Sequence, residues 1–212
     1  SIYGDAPVEY KSALKYLFKG NLVKAEKGFK EALNTKTKVR PWLKEYSTYY
    51  LGKLYLEMGK DERAKNDEAI TYFTKLINTY PTSRFLPLAS IAVGIAYYQK
   101  AEFNKAEDIF KDIIKKNYGP EYNLKCKLWT GKIKEKQGNL TKAISIYDQI
   151  IEEGTKYPGL VIEAKLGKAQ ALITSKKYAE AKHLLSSLIS TGTTQPSTEV
   201  KAKIYTLIGH LY

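Results

Sequence analysis

A pairing of small and large residues recurs five times along the chain and limits how the chain can fold. Each pair has a small residue followed four positions later by a large one, a spacing that places both on one face of an α-helix. The pairs are Ala25 and Phe29, Ala69 and Phe73, Ala106 and Phe110, Ala143 and Tyr147, and Ala181 and Leu185. Successive alanines lie 44, 37, 37 and 38 residues apart. Recurrence at this period predicts an array of repeats, each packed on its neighbours.

A second small residue precedes each pair, one more follows the last pair, and their recurrence predicts that every repeat contains two helices. These residues are Ala13, Gly52, Gly94, Gly131, Ala169 and Gly209. In residues 88–120 the first half is apolar on nearly every side, whereas the second half is amphipathic at helical spacing. Because a large side chain would hold two helix backbones apart, we expect Gly94 and Ala106 to mark their closest approach. The pattern predicts an all-α fold.

The predicted repeats cover the whole chain as one domain, residues 1–212. Their approximate bounds are 6–37, 40–81, 84–118, 121–156 and 160–193, followed by a terminal helix at 198–212. That helix resembles the first half of a sixth repeat, so either it caps the array or the chain has been cut there.

The second repeat contains a charged insertion. Residues 60–68 read KDERAKNDE and account for the longer 44-residue interval, with about five extra residues between the two helices. This segment is either a solvated extension of a helix or a contact with a partner.

The net charge of +13 comes almost entirely from lysine, since Arg40, Arg63 and Arg84 are the only arginines. Such a charge allows a role as a basic adaptor for polyanions, either nucleic acid or an anionic membrane or envelope polymer. Against that role, the lysines are spread over every repeat and many stand four residues from a carboxylate. We therefore expect nucleic acid binding only as the alternative function. No apolar run is long enough to cross a bilayer.

The sequence offers little support for catalysis. His183 and His210 have no nucleophile or carboxylate partner at a recognisable spacing, and no metal-ligand or phosphate-loop motif is present. Cys126 is the single cysteine, which excludes an internal disulfide. Its neighbours Lys125 and Lys127 would lower the thiol pKa slightly, or the residue is a passive helical cysteine. We expect a non-enzymatic protein without a cofactor or a metal.

Several of these residues resemble the tetratricopeptide repeat pattern, and the second repeat carries it best in Leu51, Gly52, Tyr55, Gly59, Ala69, Phe73 and Pro81. The run Tyr80-Pro81-Thr82-Ser83 is further similar to bacterial envelope members of the YbgF/CpoB and BamD type. The resemblance implies a right-handed superhelical solenoid of about five repeats. It also implies a protein-interaction scaffold for cell-envelope assembly or maintenance, located in the periplasm, with the cytoplasm not excluded. Because the chain starts at Ser1, we expect that an upstream export signal or lipid anchor has been removed.

The resemblance also implies where a partner binds, since the first helices of such repeats line a concave groove. The corresponding positions are Tyr46, Tyr49, Lys53, Ile91, Ile95, Tyr98, Leu128, Lys132, Lys136, Glu163 and Gln170. These positions suit an extended or helical protein segment with apolar anchors and acidic flanks. The alternative for Tyr49, Ile91 and Ile95 is that they belong to the interhelical core. Lys53, Ile95 and Lys132 stand where the family's carboxylate clamp requires asparagine, so a C-terminal carboxylate ligand is not expected.

Overall fold

The computed structural model describes residues 7–34, 41–190 and 197–212, and within them the chain forms eleven α-helices and no strands. The helices are α1 (Val8–Phe18), α2 (Leu22–Asn34), α3 (Pro41–Met58), α4 (Lys65–Thr79), α5 (Leu86–Gln99), α6 (Phe103–Lys116), α7 (Pro120–Lys136), α8 (Leu140–Glu153), α9 (Pro158–Thr174), α10 (Tyr178–Ser190) and α11 (Thr198–Gly209). Each helix from α1 to α4 packs on the next, and each helix from α7 to α10 does the same. Since every element in the described ranges is a helix, the all-α prediction is confirmed.

Each pair from α1/α2 to α9/α10 falls in one predicted repeat, with its ends within three residues of the repeat bounds, and α11 falls in the predicted terminal helix. The division of the chain into five repeats stays a prediction. Parts of the predicted repeats at residues 6, 35–37, 40 and 191–193 lie outside the described residues.

The chain divides into two compact units, Ser1–Ile113 and Ile114–Tyr212. The first unit has a core rich in aromatic side chains, contributed by α1 to α5. The second unit has a cluster centred on Tyr147 between α7, α8 and α9, and another between α9, α10 and α11. A single domain over residues 1–212 with a right-handed twist stays a prediction.

A glycine of the first helix contacts an aromatic ring of the second helix in three of the repeats. A Cβ atom added to Gly52 would lie 2.7 Å from the ring of Phe73, and one added to Gly94 would lie 2.6 Å from the ring of Phe110. A Cβ atom added to Gly131 would likewise lie 2.7 Å from the ring of Tyr147. All three rings are completely buried. The prediction that these glycines face a neighbouring helix is therefore confirmed.

Two details of the packing differ from the prediction. The side chain opposite Gly94 is Phe110 rather than Ala106, because the ring one turn further along α6 fills the space that a Cβ would take. Gly209 is exposed, and a Cβ there would have no neighbour within 4 Å. Gly209 is the last residue of α11, and no described helix packs across it.

The charged insertion lies mainly in a turn and not in a helix extension. The spacing from Gly52 to Ala69 is 17 residues, whereas that from Gly94 to Ala106 is 12. The turn between α3 and α4 contains six residues, 59–64, whereas the turn between α5 and α6 contains three, 100–102. Three of the five extra residues therefore belong to the turn. Of the other two, one lies between Gly52 and the end of α3, and one lies between the start of α4 and Ala69. Residues 60–64 are exposed, as a solvated segment should be.

Asn66 fixes the conformation of this turn. Its buried side chain donates hydrogen bonds to the carbonyl oxygens of Gly59 and Arg63, both at 3.0 Å. The Arg63 guanidinium in turn donates to the carbonyl oxygen of Lys100, in the turn after α5. The Lys100 ammonium pairs with the Asp67 carboxylate at 2.7 Å. Asn66 stands three residues before Ala69, a position that is apolar in the other repeats. Its hydrogen bonds within the turn are the structural reason for a polar residue there.

The three-residue turns need one residue in the left-handed region of backbone conformation. Gly20 and Gly138 fill this position with φ of 77°, whereas Ala101 and Lys176 fill it with φ of 60°. A side chain with a Cβ atom is strained in that region, whereas glycine is not. The two turns without glycine therefore carry a cost that the other two avoid.

We expect Gly94→Ala to destabilise the protein by about 1–3 kcal/mol, because the added methyl group overlaps the buried Phe110 ring. Gly209→Ala is the matched control, since it makes the same change in a helix without a neighbour. Urea unfolding followed by circular dichroism measures both variants. Equal midpoints for the two variants would contradict the close approach.

We expect Lys176→Gly to raise the free energy of unfolding by roughly 0.5–1 kcal/mol, because it removes the strain of a left-handed lysine. Thermal unfolding measures the effect. Lys177→Gly is the control: the adjacent residue does not have positive φ, so its replacement should leave the melting temperature unchanged or lower it. A lower melting temperature for Lys176→Gly would show that the turn is not strained.

Candidate functional site

The first helices of neighbouring repeats lie side by side within each unit. In the first unit α3 contacts α5, and in the second unit α9 contacts both α7 and α11. The side chains that these helices do not use for packing form one surface in each unit. All the groove positions predicted from the sequence lie on α3, α5, α7 and α9.

Several predicted groove residues of the first unit belong to the core. The Tyr49 ring stacks on Phe85 with centroids 4.1 Å apart, and Tyr46 contacts the same ring edge-on at 4.7 Å. Both tyrosines are less than a tenth exposed, as is Ile91. The core alternative is therefore confirmed for Tyr49 and Ile91, and Tyr46 joins them. These side chains provide little accessible surface, because Phe85, from the connection before α5, covers the two tyrosines.

The other positions of the first unit are more accessible. Lys53 is exposed, with its ammonium 5.7 Å from the centroid of the Tyr49 ring. Ile95 is half-buried, and so is Tyr98, whose ring contacts Phe103 edge-on at 5.7 Å. The accessible surface of this unit therefore combines one cation with one aliphatic and one aromatic side chain.

In the second unit Leu128 is buried, whereas the polar positions reach the surface. Lys136 is exposed, and Gln170 is half-buried with its amide 3.4 Å from the Thr174 hydroxyl. Lys132 is intermediate, with 29% of its side chain exposed. A groove that joins these residues to those of the first unit stays a prediction.

Lys132 has the most distinctive environment of the predicted site residues. Burial lowers the pKa of its ammonium, and the nearby charge of Lys203 acts in the same direction, while Glu163 opposes both. The Lys132 ammonium lies 4.0 Å from one carboxylate oxygen of Glu163, and the Lys203 ammonium lies 3.7 Å from the other. These are loose contacts compared with a close ion pair of about 2.8 Å. Lys132 is thus a desolvated cation whose charge is only partly compensated.

Trp129 and Lys203 complete this surface and were not among the predicted site residues. The Lys132 ammonium lies 4.7 Å from the centroid of the Trp129 ring, a cation–π distance. Trp129 stands three residues before Lys132 on α7, so helical spacing was a signal that could have identified it. Lys203 lies on α11, and its approach to Glu163 depends on the packing of α11 against α9.

Glu135 connects this surface to the core of the second unit. Its carboxylate accepts a hydrogen bond from the hydroxyl of Tyr147, whose ring fills the space beside Gly131 and Gly167. Burial raises the pKa of Glu135, and the hydrogen bond from Tyr147 opposes that rise. The orientation of α7 relative to α8 and α9 is therefore set by contacts made one turn from Lys132.

Other reactive groups lie in unremarkable surroundings. His183 and His210 are exposed, and burial raises the pKa of the Cys126 thiol to about 12. Cys126 is completely buried, which agrees with the passive interpretation. Among residues 7–34, 41–190 and 197–212, no cluster of three or more metal-ligating side chains occurs. None of the helices in those ranges is both long enough and apolar enough to span a bilayer.

Two segments of the chain match the family model described as Tetratricopeptide repeat, at residues 46–83 and 126–153. The first segment contains α4 and most of α3, and the second contains α8 and part of α7. No curated protein sequence matches the chain.

Solved tetratricopeptide repeat structures share the fold at low sequence identity. A thermophilic tetratricopeptide repeat protein from Thermus thermophilus is 14% identical with a TM-score of 0.66, and the match covers 94% of this chain and 97% of that one. A tetratricopeptide repeat protein from Parabacteroides merdae is 21% identical with a TM-score of 0.58, covering 95% and 73% of the two chains. MamA is 20% identical with a TM-score of 0.53, covering 93% and 94%.

These likenesses concern the fold alone, and the narrower resemblance to the YbgF/CpoB and BamD type stays a prediction. The two matched segments and the shared fold identify the chain as an all-α helical repeat solenoid and support its placement in the tetratricopeptide repeat superfamily.

Proposed function

We propose that this protein is a non-enzymatic scaffold that binds a segment of a partner protein on the first-helix surface of its second unit. The proposal rests on the environment of Lys132. Its partly buried ammonium lies 4.7 Å from the centroid of the Trp129 ring and 4.0 Å from the Glu163 carboxylate. A repeat fold of this kind supports protein binding in general, and the particular site must be argued from these side chains.

The partner segment carries an acidic side chain close to an apolar one. An incoming carboxylate that approaches Lys132 and Lys203 at hydrogen-bond distance compensates both ammoniums better than Glu163 does at 4.0 and 3.7 Å. The Trp129 ring beside Lys132 provides apolar contact area. Lys136 adds a further exposed cation, which favours acidic partners during encounter.

The first unit contributes a second contact region in this proposal. Ile95 and Tyr98 offer partly exposed apolar surface, and Lys53 lies exposed above the aromatic side chains of α3. An extended or helical segment with apolar anchors and acidic flanks fits both regions. Support for their use by one segment comes from the resemblance stated above and not from a measured distance between them.

We expect Lys132→Glu to reduce recovery of the partner at least tenfold in a cross-linking pull-down from the native organism. The substitution places a second carboxylate beside Glu163 and removes one of the two ammoniums that face it. Lys142→Glu on α8 makes the same charge change at an exposed position and should leave recovery unchanged. Loss of recovery in both variants, or in neither while both remain folded, would exclude this surface.

The alternative function, a basic adaptor for polyanions, is favoured by the net charge of +13. The arrangement of the lysines weighs against it, because many ammoniums are occupied by carboxylates or aromatic rings. Lys100 pairs with Asp67 and Glu102, and Lys168 pairs with Asp148. Lys24 and Lys125 lie above tyrosine rings.

Nucleic acid binding is therefore expected to be weak and lost at about 100 mM salt, which fluorescence anisotropy of a labelled single-stranded DNA measures. Lys132→Glu and Lys142→Glu should weaken any low-salt binding equally, because each removes the same charge. Retention of tight binding at that salt concentration would favour the adaptor function instead.

We also propose a location in a bacterial cell envelope, with the protein peripheral to the membrane or anchored to it through an upstream segment. Its support is the resemblance of residues 80–83 to the connections between repeats in envelope proteins of this kind. The structure gives those residues an ordinary role, since the Ser83 hydroxyl hydrogen-bonds to Glu45 at 2.5 Å and accepts from the backbone of Phe85. Fractionation of cells that express the native gene tests the location.

A further inference from the structure

The insertion between α3 and α4 forms one wall of a cleft in the first unit. The cleft has a volume of about 600 Å³, and its opposite wall is the turn between α1 and α2 together with the start of α2. Leu22, Val23 and Met58 provide its apolar lining, and Asp61 and Glu62 from the insertion provide carboxylates. The cleft lies at the turns between paired helices, so it is separate from the first-helix surface proposed above.

The wall formed by the insertion has a fixed conformation. Asn66 holds the turn from within the repeat, and Arg63 ties it to the carbonyl of Lys100. The backbone N–H groups of Asp61 and Glu62 both donate to the carbonyl oxygen of Met58, at 3.2 and 2.9 Å. A segment that binds here therefore does not have to order the turn, which lowers the entropic cost of binding.

Asp61 and Glu62 differ from the acidic residues closest to them in the sequence. Nearby carboxylates are paired, as Glu57 is with Lys60 and Glu68 is with Lys65. Within the described residues neither Asp61 nor Glu62 takes part in an ion pair. Lys19 also lines the cleft, but it pairs with neither carboxylate. The two unpaired carboxylates give the cleft an acidic edge on a protein of net charge +13.

The apolar lining is partly accessible, since Val23 is exposed whereas Leu22 and Met58 are half-buried. Val23 is 75% exposed although it is a valine within a well-formed helix. Its neighbour across the turn, Phe18, is exposed to the same extent. Covering an exposed apolar side chain such as Val23 with an apolar group of a partner removes apolar surface from water, which favours binding.

We propose that this cleft binds a protein segment in which a lysine or arginine adjoins an apolar side chain. The cation lies against Asp61 and Glu62, and the apolar side chain covers Val23, Leu22 and Met58. Charge complementarity favours this partner, because the two carboxylates attract a cation and repel a polyanion or an acidic segment. The proposal goes beyond the function proposed above and does not depend on it, since the two surfaces favour partners of opposite charge.

The test is a titration of the full ¹⁵N-labelled protein with the peptide acetyl-Leu-Lys-Leu-amide, followed by NMR at low salt. We expect saturable shifts confined to the amides of residues 19–23 and 58–62. The double variant Asp61→Asn, Glu62→Gln should weaken binding about fivefold, the effect expected for two exposed ion pairs. The double variant Asp108→Asn, Asp112→Asn removes two exposed carboxylates from α6 and should leave affinity unchanged.

Three results would overturn the proposal. The first is equal binding of acetyl-Leu-Glu-Leu-amide, which would exclude recognition by charge. The second is a set of shifts spread over the surface, which would indicate non-specific association. The third is concentration-dependent shifting of the same amides without any peptide, which would identify a second copy of this chain as the occupant. A failure of the Lys132 pull-down would leave these outcomes unaffected.

Discussion

The contact between a glycine and a buried aromatic ring determines how three of the helix pairs are built. Phe73, Phe110 and Tyr147 fill the space where a Cβ would stand on the facing helix, so the two backbones approach as closely as the ring allows. Protein interiors are close-packed, and a methyl group added at such a contact has no space. The accessible surfaces described above are what remains after that packing is complete.

Tyr147 shows how the same contact reaches the candidate site. A Cβ added at Gly167 on α9 would lie 2.5 Å from its ring, and one added at Gly131 on α7 would lie 2.7 Å away, so a single ring sets the approach of both helices to α8. Its hydroxyl donates to Glu135, and Glu135 lies one turn from Lys132 on the same helix. The arrangement of charges on the first-helix surface is therefore coupled to the core by one side chain.

The helices and their glycine contacts could be predicted from the sequence because both follow a period that repeats. The residue that covers Tyr46 and Tyr49 could not be predicted, since it is Phe85, which lies in a connection outside the repeated pattern. The role of Asn66 could not be predicted either, because its hydrogen-bond acceptors are backbone carbonyls whose positions are defined only in the folded turn. Lys203 was missed for the same kind of reason: its distance from Glu163 depends on how α11 packs on α9. Local periodicity predicts which residues face inward, but not which partner covers them.

Net charge is a poor guide to what this protein binds, because the charge of a side chain matters only as far as it is uncompensated. Many lysines contact a carboxylate of the same or a neighbouring helix, or an aromatic ring, and exposed pairs of that kind contribute little free energy. At two places, of opposite charge, a charged group lies beside an apolar or aromatic side chain. Lys132 lies beside Trp129 with a carboxylate no closer than 4.0 Å, and Asp61 and Glu62 line a cleft with the exposed Val23 and take part in no ion pair within the described residues. A binding partner gains most free energy where it supplies the opposite charge to a group that has no close ion pair. These two positions are therefore better targets for experiment than the lysine-rich surface as a whole.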